Sequence, residues 1–161
     1  MQYARLVRFA TVAVALVLGT RVDATPLTYG TYYDESSPAS SCSGIRYCNV
    51  VFSQLPADKL LLIRKLHCQF ATEKPVIGLE LLISTTQTSA TQGGSPLLRS
   101  LKLAVPATAP FANGGYWTSI NFDTQWLVGQ SRFPYVNVLM ADVGSMSVDC
   151  TMIGDLVNPI Q

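Results

Sequence analysis

Between Cys48 and Phe70 the chain reads CNVVFSQLPADKLLLIRKLHCQF, two short apolar runs on either side of Pro56-Ala57-Asp58-Lys59. Proline presets φ for the second position of a turn, so this stretch predicts a strand over 49–52, a connection at 56–59 and a second strand over 60–70. The second run changes phase. Leu61 and Ile63 share one parity and Leu66, Cys68 and Phe70 the other, with Arg64-Lys65 at the switch. A period of two cannot change face without an extra residue, so a β-bulge is expected at Arg64-Lys65.

The same periodicity recurs downstream. Ile77, Leu79, Leu81 and Ile83 alternate around Glu80, and Leu97, Leu101, Leu103 and Val105 share one phase. Tyr116, Thr118, Ile120 and Phe122 oppose Trp117, Ser119, Asn121 and Asp123, and Trp126 to Val128 adds a short apolar segment. Val136, Val138 and Met140 predict one more strand, and Met146, Val148, Cys150 and Met152 predict the last. Between the runs, TTQTSATQGGS (85–95) predicts an exposed loop and PATAPFANGG (106–115) predicts turns. The tail from Gly154 closes on Pro159, which would stop pairing. About seven or eight short strands separated by Gly, Pro and Ser point to an all-β fold. The expected form is an antiparallel two-sheet sandwich, with a jelly roll as its most specific version.

The N-terminus has a different character. Arg5 and Arg8 precede the apolar run FATVAVALVL (9–18), and Val22-Asp23-Ala24 offers a cleavage site after Ala24. This is the pattern of a secretory signal peptide, a helix-forming leader, and the run is about half of what a spanning helix needs. The expected organisation is a leader at 1–24, an extended arm or loop at 25–47 and one β-sandwich domain at 48–161. Removing the leader takes away Arg5, Arg8, Arg21 and Asp23, so the remaining 8 basic and 9 acidic residues nearly cancel. No basic cluster remains to neutralise phosphates, which argues against nucleic acid as a partner. Stable membrane insertion after cleavage is not expected either.

Export gives the cysteines their meaning. Cys42, Cys48, Cys68 and Cys150 would enter an oxidising compartment, secreted or periplasmic, and an even number there implies two disulfides. Cys68 and Cys150 both fall on apolar phases, so they are expected to pair, leaving Cys42 with Cys48. The competing arrangement joins Cys48 to Cys68 and Cys42 to Cys150. Bonding Cys68 to Cys150 would hold together two stacked layers of strand. The spacing lacks a C-x₂-C unit, which argues against zinc.

Chemistry-bearing residues are sparse. His67 is the only histidine, expected on the face opposite Cys68, and no G-x-S-x-G elbow accompanies it. The carboxylates are scattered, and those from Asp142 to Asp149 do not follow a calcium-loop pattern. Gly93-Gly94 and Gly114-Gly115 lack the Lys-Ser/Thr of a phosphate loop. No catalytic residue, metal ligand or cofactor is assigned. Trp117, Trp126, Tyr116 and Tyr135 remain as candidate ligand-binding residues, since flat aromatic rings can stack on sugars. The expected role is therefore non-enzymatic binding to a protein or glycan surface. A carbohydrate-binding module is the more specific alternative, and a small secreted hydrolase a more remote one.

Overall fold

The computed structural model describes residues 25–92, 97–111 and 114–159. They form strands β1 (Leu27–Tyr29), β2 (Tyr32–Val51), β3 (Leu60–Thr72), β4 (Val76–Ser84), β5 (Leu97–Lys102), β6 (Ala109–Pro110), β7 (Tyr116–Val128) and β8 (Phe133–Val157). One short helix, α1 (Gln87–Gln92), lies between β4 and β5. The signal peptide expected at 1–24 and the Gly93-Gly94 pair lie outside the described residues.

All pairings are antiparallel and join into one sheet whose spine is β8. The two strands expected around Val138 and Val148 are a single strand of 25 residues that continues to Val157. β2 runs along one edge of β8. The other edge is divided: β4 pairs with Phe133–Met140 and β3 with Met146–Val157. β7 and β6 extend the sheet beyond β3, and β5 extends it beyond β4. The sheet thus has two arms that meet where β8 turns, at Ala141, Asp142 and Val143, three exposed residues in succession. β2 shifts register at the same place, between Cys42 and Ile45 and again between Ile45 and Tyr47. Such bulges bend a strand and increase its twist. Gly44 sits inside the bend at φ 69°, a left-handed conformation that glycine adopts without a Cβ clash. The Cys42–Cys48 disulfide closes over this corner.

Buried side chains of both arms belong to one cluster. It contains Leu79, Leu81 and Ile83 of β4, Leu61, Ile63, Leu66 and Phe70 of β3, and Val136, Val138, Val148 and Met152 of β8. The bulge in β3 falls between Ile63 and Lys65, as the phase change requires, and leaves Arg64 and Lys65 exposed. Beside it, β8 presents Gly154, where an added Cβ would lie 2.4 Å from the Leu62 carbonyl oxygen. Only glycine lets the bulged strand approach this closely.

Four further readings of the sequence need correction. Residues 25–47 are not an arm or loop but β1 and most of β2. The buried phase there is Tyr33, Glu35 and Ser37, so the alternation is real but polar. It is tolerated because the Tyr33 hydroxyl donates to Glu35 Oε2 and the Ser53 amide donates to Glu35 Oε1 at 2.8 Å. Burial, followed by the hydrogen bond to Glu35 and its charge, raises the pKa of Tyr33 strongly. The segment 85–95 is not all loop, because Thr86 caps α1 by accepting the Ser89 amide at 3.2 Å. Ile77 leaves the core phase, since a register shift between Val76 and Gly78 turns it outward and Val76 inward. Finally, Cys68 and Cys150 are bonded and lie directly opposite each other on β3 and β8, with Cα atoms 4.1 Å apart. The bond therefore ties neighbouring strands rather than stacked layers.

Candidate binding face

Alternation along β8, β3 and β7 puts one set of side chains into the core and the other onto an outer face. With Cys68 opposite Cys150, the register of the outer rows follows. Thr151, His67 and Asn121 form one row, Asp149, Gln69 and Ser119 the next, and Ser147, Ala71 and Trp117 a third. β2 extends the first row with Ser36, 2.9 Å from the Thr151 hydroxyl, and the third with Ser41. His67 Nδ1 lies 3.0 Å from Asn121 Oδ1 and its Nε2 lies 3.3 Å from the Gln69 amide nitrogen. One tautomer satisfies both: Nδ1–H donates to Asn121 and Nε2 accepts from Gln69. The imidazole is held between two amides on the outer face.

The third row shapes the surface. Ser41, Ser147 and Ala71 are small and lie in line across three strands, with the indole of Trp117 at the end of the line. Small side chains next to a large one leave a trough. A hollow of about 150 Å³ is lined by Gln69, Phe70, Ala71, Trp117, Ser147 and Asp149. A larger one of about 500 Å³ shares Ala71 and Ser147 and adds Glu73 and Phe111. Its far side is fixed by the β3–β4 turn, where the Ser145 amide donates to Glu73 Oε2 and the Glu73 amide donates to the Ser145 carbonyl, each at 2.9 Å. Trp117 is 42% exposed and Phe111 47%. β6 pairs Ala109 with Trp117 and Pro110 with Tyr116, which places Phe111 just after β6, in the turn of the same short hairpin, where its amide donates to the Gly115 carbonyl.

The four aromatic residues singled out from the sequence do not form one platform. Trp117 is on the outer face. Trp126 has the opposite parity on β7 and is buried, with the Arg99 guanidinium 5.0 Å from its ring centroid and bonded through Nη1 to the Leu127 carbonyl. Tyr116 also has the opposite parity and is half-buried. Tyr135 is buried beneath α1 with Leu82 and Ala90, and burial, followed by the charge of Glu80, raises its pKa. Sequence reasoning missed Phe111, Gln69, Ala71, Ser147 and Asp149. A signal for the last four was present: had Cys68–Cys150 been read as a cross-strand pair, counting outward would have set Gln69 opposite Asp149 and Ala71 opposite Ser147.

Among the described residues, no group of three or more His, Cys, Asp or Glu side chains is placed to hold a metal ion. No described helix is long and apolar enough to cross a membrane. Comparison with protein-family models, with curated proteins and with solved structures gives no match.

Proposed function

We propose that this chain is an exported, non-catalytic β-sandwich domain that binds a protein or glycan surface through the outer face of β8, β3 and β7. In this reading the two arms of the sheet face each other as the layers of the sandwich, in the manner of a jelly roll. Two disulfides accord with a secreted or periplasmic setting, where oxidised thiols persist. The observation that carries the binding role is the row Ser41–Ser147–Ala71–Trp117. It spends three successive strands on small residues and leaves an indole standing beside the depression they make. Large aromatics with a polar edge are favoured anchors at interfaces. His67 supports the same reading, because its two ring nitrogens are engaged by Asn121 and Gln69 rather than by a serine and a carboxylate.

The test is adsorption of the oxidised protein to an insoluble fraction of its native surroundings, measured by depletion from solution. Trp117→Ala is expected to weaken adsorption about tenfold or more with an unchanged circular-dichroism spectrum. Adsorption equal to that of the parent protein would remove Trp117 from the binding face and overturn the reading.

A further inference from the structure

We propose that the trough beside Trp117 is a cleft for a neutral oligosaccharide, with its first sugar stacked on the indole and its chain continuing toward Phe111. The inference rests on the reading that this outer face binds, and it names the ligand class.

Three features of the trough select the ligand. The first is shape. Trp117 is the wall and Ala71 and Ser147 the floor, so a flat ring can lie against the indole above two small side chains. A pyranose offers such a ring, with C–H bonds on one face and hydroxyls around its edge. The second is the hydrogen-bonding inventory. Gln69 and Asp149 are opposite each other in register and line the same hollow. An amide both donates and accepts, and a carboxylate accepts twice, which together match neighbouring sugar hydroxyls. The third is charge. The described lining of the two hollows contains Asp149 and Glu73 and no lysine, arginine or histidine. A phosphate or uronate would meet like charge there, whereas a neutral sugar meets acceptors.

The larger hollow extends the site. It shares Ala71 and Ser147 with the first and carries the second exposed aromatic, Phe111, along with the Ser145 and Glu73 side of the corner. Two hollows that share Ala71 and Ser147 and carry one exposed aromatic each suit a chain of at least two sugars. The direction of the trough also separates this ligand from a peptide. Extended peptides add along a sheet edge through backbone hydrogen bonds. The small residues here run across the strands, from Ser41 on β2 to Trp117 on β7, through positions whose backbones are already paired.

The chain has two tryptophans, one exposed and one buried, so fluorescence can report on the site directly. The oxidised mature protein would be titrated with cellohexaose, mannohexaose, xylohexaose and, as a charged comparison, hexagalacturonate, by tryptophan emission and by calorimetry. At least one neutral hexaose is expected to bind and to change the emission, and hexagalacturonate to bind about tenfold more weakly or not at all. Trp117→Ala should abolish the emission change and lower affinity about tenfold or more. Asp149→Asn and Gln69→Ala should each lower it about threefold or more. Phe111→Ala should weaken the bound hexaose about threefold or more while leaving the emission change in place. Failure of every neutral hexaose to bind, tighter binding of hexagalacturonate, or full affinity in Trp117→Ala would overturn the proposal. If no hexaose binds while adsorption to the native surface still requires Trp117, the oligosaccharide is wrong and the binding face stands. If adsorption is also independent of Trp117, both fall.

Discussion

The two halves of β8 both pair with β2 and both turn side chains into one core cluster, yet their outer faces are finished differently. From Phe133 to Met140 the strand is covered outside as well as inside, and Pro134, Tyr135 and Val136 are buried in succession. The cover is α1. Its Ala90 is fully buried against Leu82 and Tyr135, and Asn49 holds it down by donating to the Ala90 and Thr91 carbonyls at 2.9 and 3.2 Å. From Met146 to Met152 the strand alternates, with Met146, Val148, Cys150 and Met152 inside and Ser147 and Asp149 exposed. Nothing among the described residues covers Trp117, Gln69 or Asp149 in the way that α1 covers Tyr135. The open arm has its reinforcement within, where Cys68–Cys150 crosses from β3 to β8. An arm braced from inside can give its outer face to side chains chosen for contact rather than for cohesion.

The largest test of this contrast is to remove the inner brace. The loops closed by Cys68–Cys150 and Cys42–Cys48 span sequence separations of 82 and 6 residues. In the loop-entropy model, removing the first costs about 4.5 kcal/mol and removing the second about 2 kcal/mol. Paired Cys→Ala variants, compared by denaturant unfolding, should therefore lose stability in that order. Greater damage from losing Cys42–Cys48 would mean that the corner, not the open arm, depends most on oxidation.

The outer brace should be worth less. Asn49 accepts from the Asn137 amide at 2.6 Å while donating to the end of α1, so Asn49→Ala removes the helix's anchor and strands a partly buried donor on Asn137. A loss of about 2 kcal/mol is expected. Hydrogen exchange sharpens the comparison. Amides of β4 and of Phe133–Met140 should exchange faster, whereas those around Cys68 and Cys150 should keep their protection. Uniform acceleration across both arms would show that α1 steadies the whole sheet.

Strand β3 was legible from the sequence because its apolar parity breaks only once, at a charged pair, and a bulge is the cheapest way to accommodate that. β2 was not, because its inward positions are Tyr33, Glu35 and Ser37, which look like surface until the hydrogen bonds that satisfy them are known. α1 was hidden for a related reason: Gln87–Gln92 has no apolar stripe, and a single alanine makes its buried contact. For the candidate face, the parity of β7 separates Trp117 from Trp126, so the sequence held that distinction. The trough depends on which small residues fall into line across strands, and that requires the register.

The smallest effect expected is at His67. It occupies the middle of the open face, with one hydrogen bond to Asn121 and one to Gln69, both exposed to solvent. Water can replace each of them when the imidazole is removed, so little is lost. Threonine also suits the pleated surface of a strand, which offsets part of what remains. His67→Thr should then change unfolding free energy by no more than about 0.5 kcal/mol. The same variant leaves the Ser41–Ser147–Ala71–Trp117 row untouched, one row removed from Gln69 and two from Trp117. A cost near 2 kcal/mol in denaturant unfolding would mean that the Thr151–His67–Asn121 row holds β8, β3 and β7 together. The open face would then be a second structural cover made of polar side chains, and the contrast between the two halves of β8 would dissolve.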